Sequence, residues 1–406
     1  MKRTPGLGAI FLTVFVDLLG FGLVLPFLAK EARDAFGVSE LVATLLGSVY
    51  SLMQFVFVPV WGRLSDRVGR RPVLLWSIAG TSLTMAGLGV SLAWGGSIAW
   101  LFAARIFGGV ATANLGTASA YIADITKPED RAKGMGLIGA AFGLGFILGP
   151  GIGGALAKIE LGGRHGAVPC LVAAGLSLVN LAWVALGVAE SLPPERRASA
   201  PRRTLAPLNA EAMRAAFSIR GVPLAVAVNF LVILSFTNLD QTFTFFCNDV
   251  FGIDERGTGF VLAFIGVVAA AVQGGLVRPL AKRFDEAWLM RAGSLVQAAA
   301  FAGLVAAATA GARGLLYGSG ALLAVGNGLT QPTTAAFISR RAPADRQGAT
   351  LGVNQSFASL ARTFGPALGG WLYGSLGVRA PYSAASLGML VAFAIALALP
   401  RAPDAG

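Results

Sequence analysis

Long apolar runs and short polar breaks alternate along the whole chain, and the sharpest early break is the decapeptide GRLSDRVGRR at 62–71. No charge occurs in the run before it, 41–61, or in the run after it, 72–101. A bilayer core about 30 Å thick is crossed by roughly 20 apolar residues in helical form. Twelve stretches reach that length, near 6–29, 41–62, 72–93, 97–123, 132–156, 167–189, 222–248, 257–279, 287–309, 313–340, 347–374 and 379–399. Several exceed it, which implies tilt or protruding ends. The runs are continuous and not alternating, so helices are expected and not a barrel. The charged decapeptide is expected to be a short loop joining the second and third spans. The first run is too long, and its flanks too polar, for a cleaved signal peptide. The expected fold is an all-α integral membrane protein of twelve transmembrane helices.

The longest polar stretch, 189–221, separates two groups of six runs. The pattern predicts an amino-terminal six-helix bundle at 1–189, a cytoplasmic linker at 190–221 and a carboxy-terminal six-helix bundle at 222–406. A short surface helix is expected near 210–217. The halves repeat: 123–154 and 339–370 both carry a Pro two residues before an Asp-Arg pair, and both end in Gly-Gly. The spacing from Gly136 to Pro150 equals that from Gly352 to Pro366. The stretch RPLAKRFDE at 278–286 weakly echoes 62–71. Such parallel repeats mark transporters with a midplane site at the repeat interface.

Composition agrees: apolar residues make up 55% of the chain, charged residues 13%, and mean hydropathy is +0.70. The net charge of +12 invites a nucleic-acid reading, but its distribution excludes one. With the amino terminus in the cytoplasm, 23 of the 32 Lys and Arg fall on that side, seven fall outside, and Arg105 and Arg362 fall within spans. That asymmetry is the positive-inside rule, and it places both termini in the cytoplasm. Cys170 and Cys247 lie in different halves, with no disulfide framework or metal site indicated. The lone His165 lies in an outer loop and suggests no ligand role.

Charges inside a bilayer are costly and are therefore functional candidates. Four are expected at central depth: Asp17 in the first span, Arg105 in the fourth, Asp240 in the seventh and Arg362 in the eleventh. The first and seventh spans are equivalent in the repeats, so Asp17 and Asp240 approach the expected cavity from opposite halves. A buried carboxyl could take a proton from one side and release it to the other. Arg105 keeps its proton and would bias that exchange. Arg362 could instead hold its helix by bonding to backbone carbonyls. Tyr50, Gln54, Asn114, Asn238, Gln241, Gln297, Gln331, Asn354 and Gln355 are polar residues within spans, each able to meet a substrate or to join helices. Phe243, Phe245 and Phe246 could line a pocket, although lipid-facing packing is the simpler expectation for each.

Three motifs carry a family resemblance. Gly62, Leu64, Ser65, Asp66, Arg67, Gly69, Arg70 and Arg71 resemble the loop signature of the major facilitator superfamily. The run Gly145-x-x-x-Gly149-Pro150-x-x-Gly153-Gly154 resembles the antiporter motif of that superfamily's drug:H⁺ antiporters. Arg105-x-x-x-Gly109 is similar to the family's arginine motif in the fourth span. Within the family, the first half is similar to bacterial tetracycline/H⁺ antiporters, through Asp17-x-x-Gly20-x-Gly22…Pro26, GRRPVLL at 69–75 and FGLGFILGPGIGG at 142–154.

The residues themselves suggest roles. Gly62 and Gly69 would permit close helix approach and a tight turn. Asp66 would favour a neighbouring helix N-terminus, where the macrodipole is positive. The resemblance implies that Arg70 pairs with Asp124, so that Gly62, Asp66, Arg67, Gly69, Arg70, Arg71 and Asp124 form a cytoplasmic gate. Glycines every four residues in the fifth span allow close backbone packing, and Pro150 removes a helical hydrogen bond.

Departures from the tetracycline antiporters also matter. Their acids in the third and ninth spans are replaced by Thr84 and Gln297, and their histidine in the eighth span by Ala269. Only Asp17 is retained, which argues against recognition of a metal-complexed tetracycline. The expected activity is efflux of a small hydrophobic or amphipathic compound by a bacterial inner-membrane protein, driven by the proton gradient. No cofactor or metal is expected, nor any enzymatic chemistry. The expected partners are a small-molecule substrate, H⁺ and the lipid bilayer, with no nucleic acid and a monomeric state. The rival expectations are proton-coupled nutrient uptake and a nontransporting receptor on the same scaffold.

Overall fold

The computed structural model describes residues 6–112, 115–126, 131–198, 210–343 and 346–400. Among those residues α-helix is the dominant regular structure, joined by short turns, with one isolated bridge between Leu161 and Arg164. The helices are α1 (Leu7–Phe36), α2 (Glu40–Val68), α3 (Arg70–Trp94), α4 (Ile98–Ala111), α5 (Leu115–Ile125), α6 (Arg131–Ala157) and α7 (Ala167–Gly187). Two short ones follow, α8 (Pro194–Ala198) and α9 (Ala210–Phe217). The remainder are α10 (Val222–Phe251), α11 (Glu255–Ala271), α12 (Val277–Arg283), α13 (Glu286–Ala310), α14 (Arg313–Arg341), α15 (Gln347–Leu376) and α16 (Ala380–Leu397). A π-helical turn, Val272–Leu276, joins α11 to α12. The twelve expected spans are therefore present, with α4 and α5 making the fourth and α11, the π turn and α12 making the eighth.

Ten of the twelve are apolar enough to cross a membrane by composition alone. The other two, α14 and α15, are 29 and 30 residues long but are diluted by Gly, Ser, Thr, Asn and Gln. Length and neighbours, more than apolarity, identify these two as spans.

Contacts divide the chain into two compact units. The first holds the described parts of 1–38, 49–207 and 255–260. There α1 packs on α6 and α7, and α3 on α4 and α7. Its core gathers Ile10, Val14, Leu74, Ile78, Tyr121, Ile122 and Val184. The second unit holds the described parts of 39–48, 208–254 and 261–406. There α10 packs on α15 and α16, and α13 on α14 and α16. Leu83, Phe107, Val179 and Leu186 are each more than half exposed, as side chains facing lipid must be in a protein whose solvent is apolar.

The repeat extends further than its glycines. α1 and α10 are both 30 residues long, and both end in Phe-Gly with the glycine left-handed, Gly37 at φ 64° and Gly252 at φ 61°. In each case a glutamate opens the next long helix three residues on, Glu40 in α2 and Glu255 in α11. Within the first unit, Gly154 of α6 lies against the Glu255 carbonyl and Gly259. Within the second, Gly370 of α15 lies against the Glu40 carbonyl and Leu41. The same small-residue position therefore receives the same helix start in both repeats.

Candidate functional site

The charged segment at 62–71 is not a loop. α2 continues to Val68 and α3 begins at Arg70, so only Gly69 lies between them. Its φ of 109° is open to glycine and strained for other residues. A Cβ there would also meet the Glu190 carboxylate, which would have to shift away. Gly62 needs no such explanation: nothing lies within 4 Å of a Cβ placed on it. The expectation of close helix approach at Gly62 is therefore corrected.

Arg70 is buried at the centre of this segment. Its Nη1 donates to Asp66 Oδ1 and to Ser65 Oγ, each at 2.6 Å, and its Nε donates to Asp124 Oδ2 at 3.1 Å. Ser191 Oγ donates to the same Asp124 oxygen at 3.2 Å. The acid at the N-terminus of α3 is Glu190 and not Asp66. The Glu190 carboxylate accepts from the backbone N–H of Arg70 at 2.9 Å and of Arg71 at 3.1 Å. Two of the orphan donors of α3 are satisfied in this way. Arg197 of α8 lies 3.8 Å from the same carboxylate and donates to Leu192 O. Arg71 reaches Ala185 O at 2.6 Å, while Arg67 is exposed. Sequence reasoning missed Glu190, although it is the first acid after the sixth apolar run.

Deeper in the first unit, Arg105 of α4 is 99% buried in protein, being only 1% exposed. Its guanidinium carbon lies 3.9 Å from the centre of the Tyr50 ring of α2. The Tyr50 hydroxyl lies 2.6 Å from Thr112 Oγ1 and accepts from Gln54 Nε2 at 3.3 Å. Gln54 also donates to Thr112 Oγ1 at 3.1 Å. Gly109 lets α4 sit directly on the backbone of Tyr50. Three sequence candidates, Arg105, Tyr50 and Gln54, thus form one polar cluster.

Asp17 of α1 is half-buried and accepts from Asn180 Nδ2 at 3.3 Å. The same amide donates to Thr13 O at 3.1 Å. Phe21, one turn on from Asp17, meets the Tyr50 ring at 5.6 Å, so the acid's side of α1 faces the Arg105–Tyr50 pair. The backbone of α1 in this region is covered by α6. A Cβ on Gly145, Gly149 or Gly153 would meet Leu18, Gly22 or Leu23 respectively. Pro150 lies within α6, and its carbonyl lies against Gly259.

In the second unit, Asp240 of α10 is half-buried and accepts from Gln241 Nε2 at 3.1 Å. Gln241 is buried beside Gly47. Asn238 is buried and donates to Pro381 O at 2.9 Å, joining α10 to α16. Asn354 accepts from Asn229 at 3.0 Å, joining α15 to α10. Gln331 is half-buried, and Gln355 is exposed. Arg362 is half-buried and makes no bond to a backbone carbonyl among the described residues. Asn114 lies outside the described residues. Phe243, Phe245 and Phe246 are each at most 1% exposed, which corrects the lipid-facing expectation. Phe246 packs on Tyr382 at 4.4 Å and Phe245 on Tyr373 at 5.7 Å.

The two positions where acids are replaced are both interior. The Thr84 hydroxyl is 2.9 Å from Gly80 O, within its own helix. Gln297 is fully buried and donates to Thr330 Oγ1 at 2.9 Å, joining α13 to α14. Neither site holds an ionisable group.

The sequence profile described as Major Facilitator Superfamily matches residues 10–365 and 276–406. The chain is 35% identical over 370 residues to tetracycline resistance protein, class C, of Escherichia coli, covering 90% of this chain and 89% of that protein. It is 30% identical over 441 residues to major facilitator superfamily domain-containing protein 10 of Bos taurus, covering 97% of this chain and 92% of that protein. Its fold matches the crystal structure of a bacterial homologue of the human lysosomal transporter Spinster, in an inward-facing and unoccupied conformation. That match has a TM-score of 0.79 at 16% identity, over 98% of each chain.

Proposed function

The chain belongs to the major facilitator superfamily and is a membrane transporter, and we propose that it exports a small hydrophobic or amphipathic compound in exchange for protons. One observation carries this reading: the glycine seam of α6 packs directly on the stretch of α1 that follows Asp17. The antiporter-like motif and the intramembrane acid therefore belong to one pair of helices. A change in either backbone would reposition the acid. The extensive identity to a protein named for tetracycline resistance supports the efflux direction.

In this reading Asp17 and Asp240 exchange protons, and Asn180 and Gln241 orient them through hydrogen bonds to the carboxylates. Arg105 holds a fixed positive charge against Tyr50. Two six-helix bundles rock around a central site, and the Asp66–Arg70–Asp124 cluster latches the cytoplasmic side. The protein works as a monomer in a bacterial inner membrane, with both termini cytoplasmic and no cofactor beyond the proton gradient. Thr84 and Gln297 direct recognition away from a metal-complexed tetracycline, toward a compound held by aromatic and amide groups.

The test is proton flux in proteoliposomes with an interior pH dye and a panel of lipophilic drugs that includes tetracycline. Proton movement opposite to drug movement supports exchange. Movement in the same direction overturns it in favour of uptake, and flux without coupling overturns the proton drive.

A further inference from the structure

At the end of the first unit remote from Gly69, α1, the turn between α6 and α7, and the start of α11 border a half-open cavity of about 410 Å³. Its ion pairing is incomplete. Lys30 Nζ lies 2.6 Å from both Asp34 Oδ2 and Glu255 Oε1, and Asp34 Oδ1 also pairs with Arg33 Nε at 3.2 Å. The adjacent Glu31 faces the same cavity at 6% exposure and makes no hydrogen bond or ion pair with any described residue. Its carboxylate lies against Gly166, where a Cβ would come within 2.6 Å of Glu31 Cγ. Arg164 also lines the cavity. Its guanidinium carbon is 5.9 Å from the Phe36 ring centre, and its Nη1 is buried with no hydrogen-bond partner among the described residues.

A buried ionisable group without a partner is costly to charge, and a ligand of complementary charge removes that cost. A lone cation would answer Glu31 but would add positive charge beside Arg164 and Lys158. A lone anion would answer Arg164 but would face Glu31, Asp34 and Glu255. A neutral molecule bearing both charges answers both groups. The volume falls in the range of roughly 300–1,000 Å³ usual for small-molecule sites.

We propose that this cavity binds a small zwitterion, with Glu31 taking its ammonium and Arg164 taking its carboxylate or phosphate. The site is separate from the Arg105–Tyr50 cluster. Glu31 lies four turns beyond Asp17 on α1, about 21 Å along the axis. The proposal is independent of proton coupling and of the direction of transport. The ammonium-and-anion chemistry is shared by soluble amino acids and by the phosphatidylethanolamine headgroup.

The experiment is titration calorimetry on the full chain, purified and delipidated in detergent. The probes are glycerophosphoethanolamine and 4-aminobutyrate, with butylamine and butyrate as single-charge controls. Saturable binding of a zwitterion about tenfold or more tighter than either control is expected. Glu31→Gln and Arg164→Gln should each weaken it by about tenfold or more. Monodisperse elution checks that each variant folds, and either variant suffices if the other does not. Nanodiscs then distinguish the source. Blocking of probe binding by phosphatidylethanolamine but not phosphatidylglycerol supports a headgroup occupant, and no blocking by either supports a soluble one. Blocking by phosphatidylglycerol, butylamine binding as well as 4-aminobutyrate, no saturable zwitterion binding, or binding unchanged in the variants each overturns the proposal.

Discussion

The Arg105 guanidinium carbon sits 3.9 Å from the centre of the Tyr50 ring. This pairing joins a charge that cannot be titrated away to a ring whose hydroxyl is engaged by Thr112 and Gln54. The attraction of a desolvated cation to such a ring is worth about 2 kcal/mol. The pair therefore fixes the position of the charge without neutralising it.

Replacing Arg105 by Lys keeps the charge but loses the planar group that stacks on the ring. Transport is expected to fall about tenfold, in line with a loss near 1.4 kcal/mol, while membrane insertion is retained. Tyr50→Phe keeps the ring and should retain most activity, whereas Tyr50→Leu should resemble Arg105→Lys. Drug flux in proteoliposomes is the measurement, and full activity in Arg105→Lys would remove the pair from the mechanism.

The glycine seam should be far less tolerant than Gly62 of the charged segment. Gly149→Ala places a methyl group against the Gly22 backbone, and overpacking of this kind costs about 1–3 kcal/mol. A lower thermal midpoint in detergent is expected. Gly62→Ala meets open space in the middle of a helix, where Ala is favoured over Gly by about 0.5–1 kcal/mol. Its midpoint should hold or rise.

Glu190 caps α3 from 120 positions away in sequence. Glu190→Ala should cost about 1 kcal/mol, as other lost caps do. Glu190→Gln keeps an acceptor and should lose less. Hydrogen exchange at the Arg70 and Arg71 amides reports the cap directly, and unchanged protection in Glu190→Ala would count against it.

Asp17→Asn and Asp240→Asn should preserve drug binding while reducing drug-driven proton flux by about tenfold or more. Two variants with undiminished proton coupling would show that neither acid carries the proton. Asp66→Asn removes one carboxylate from Arg70 and should slow the transport cycle without preventing insertion. Normal cycling in that variant would sink the latch.

The one-dimensional pattern was enough to locate the spans, the repeat and the ionisable residues Asp17, Arg105, Asp240 and Arg362 within the span helices. Those properties are local, since a bilayer demands long apolar helices and penalises any charge within them. It also singled out Gly145, Gly149 and Gly153, because their spacing keeps them on one helix face. Two kinds of information were absent from it. The first is long-range partnership: Glu190 on the α3 amides, Asn180 on Asp17 and Gln297 on Thr330 depend on helices meeting across the fold. The second is sidedness. Phe243, Phe245 and Phe246 are interior, yet nothing in their chemistry distinguishes a neighbouring helix from lipid. Both surroundings are equally apolar, so hydrophobicity drives a span into the membrane but does not choose which of its faces turns inward. Close packing made that choice, and packing exists only once the helices are assembled.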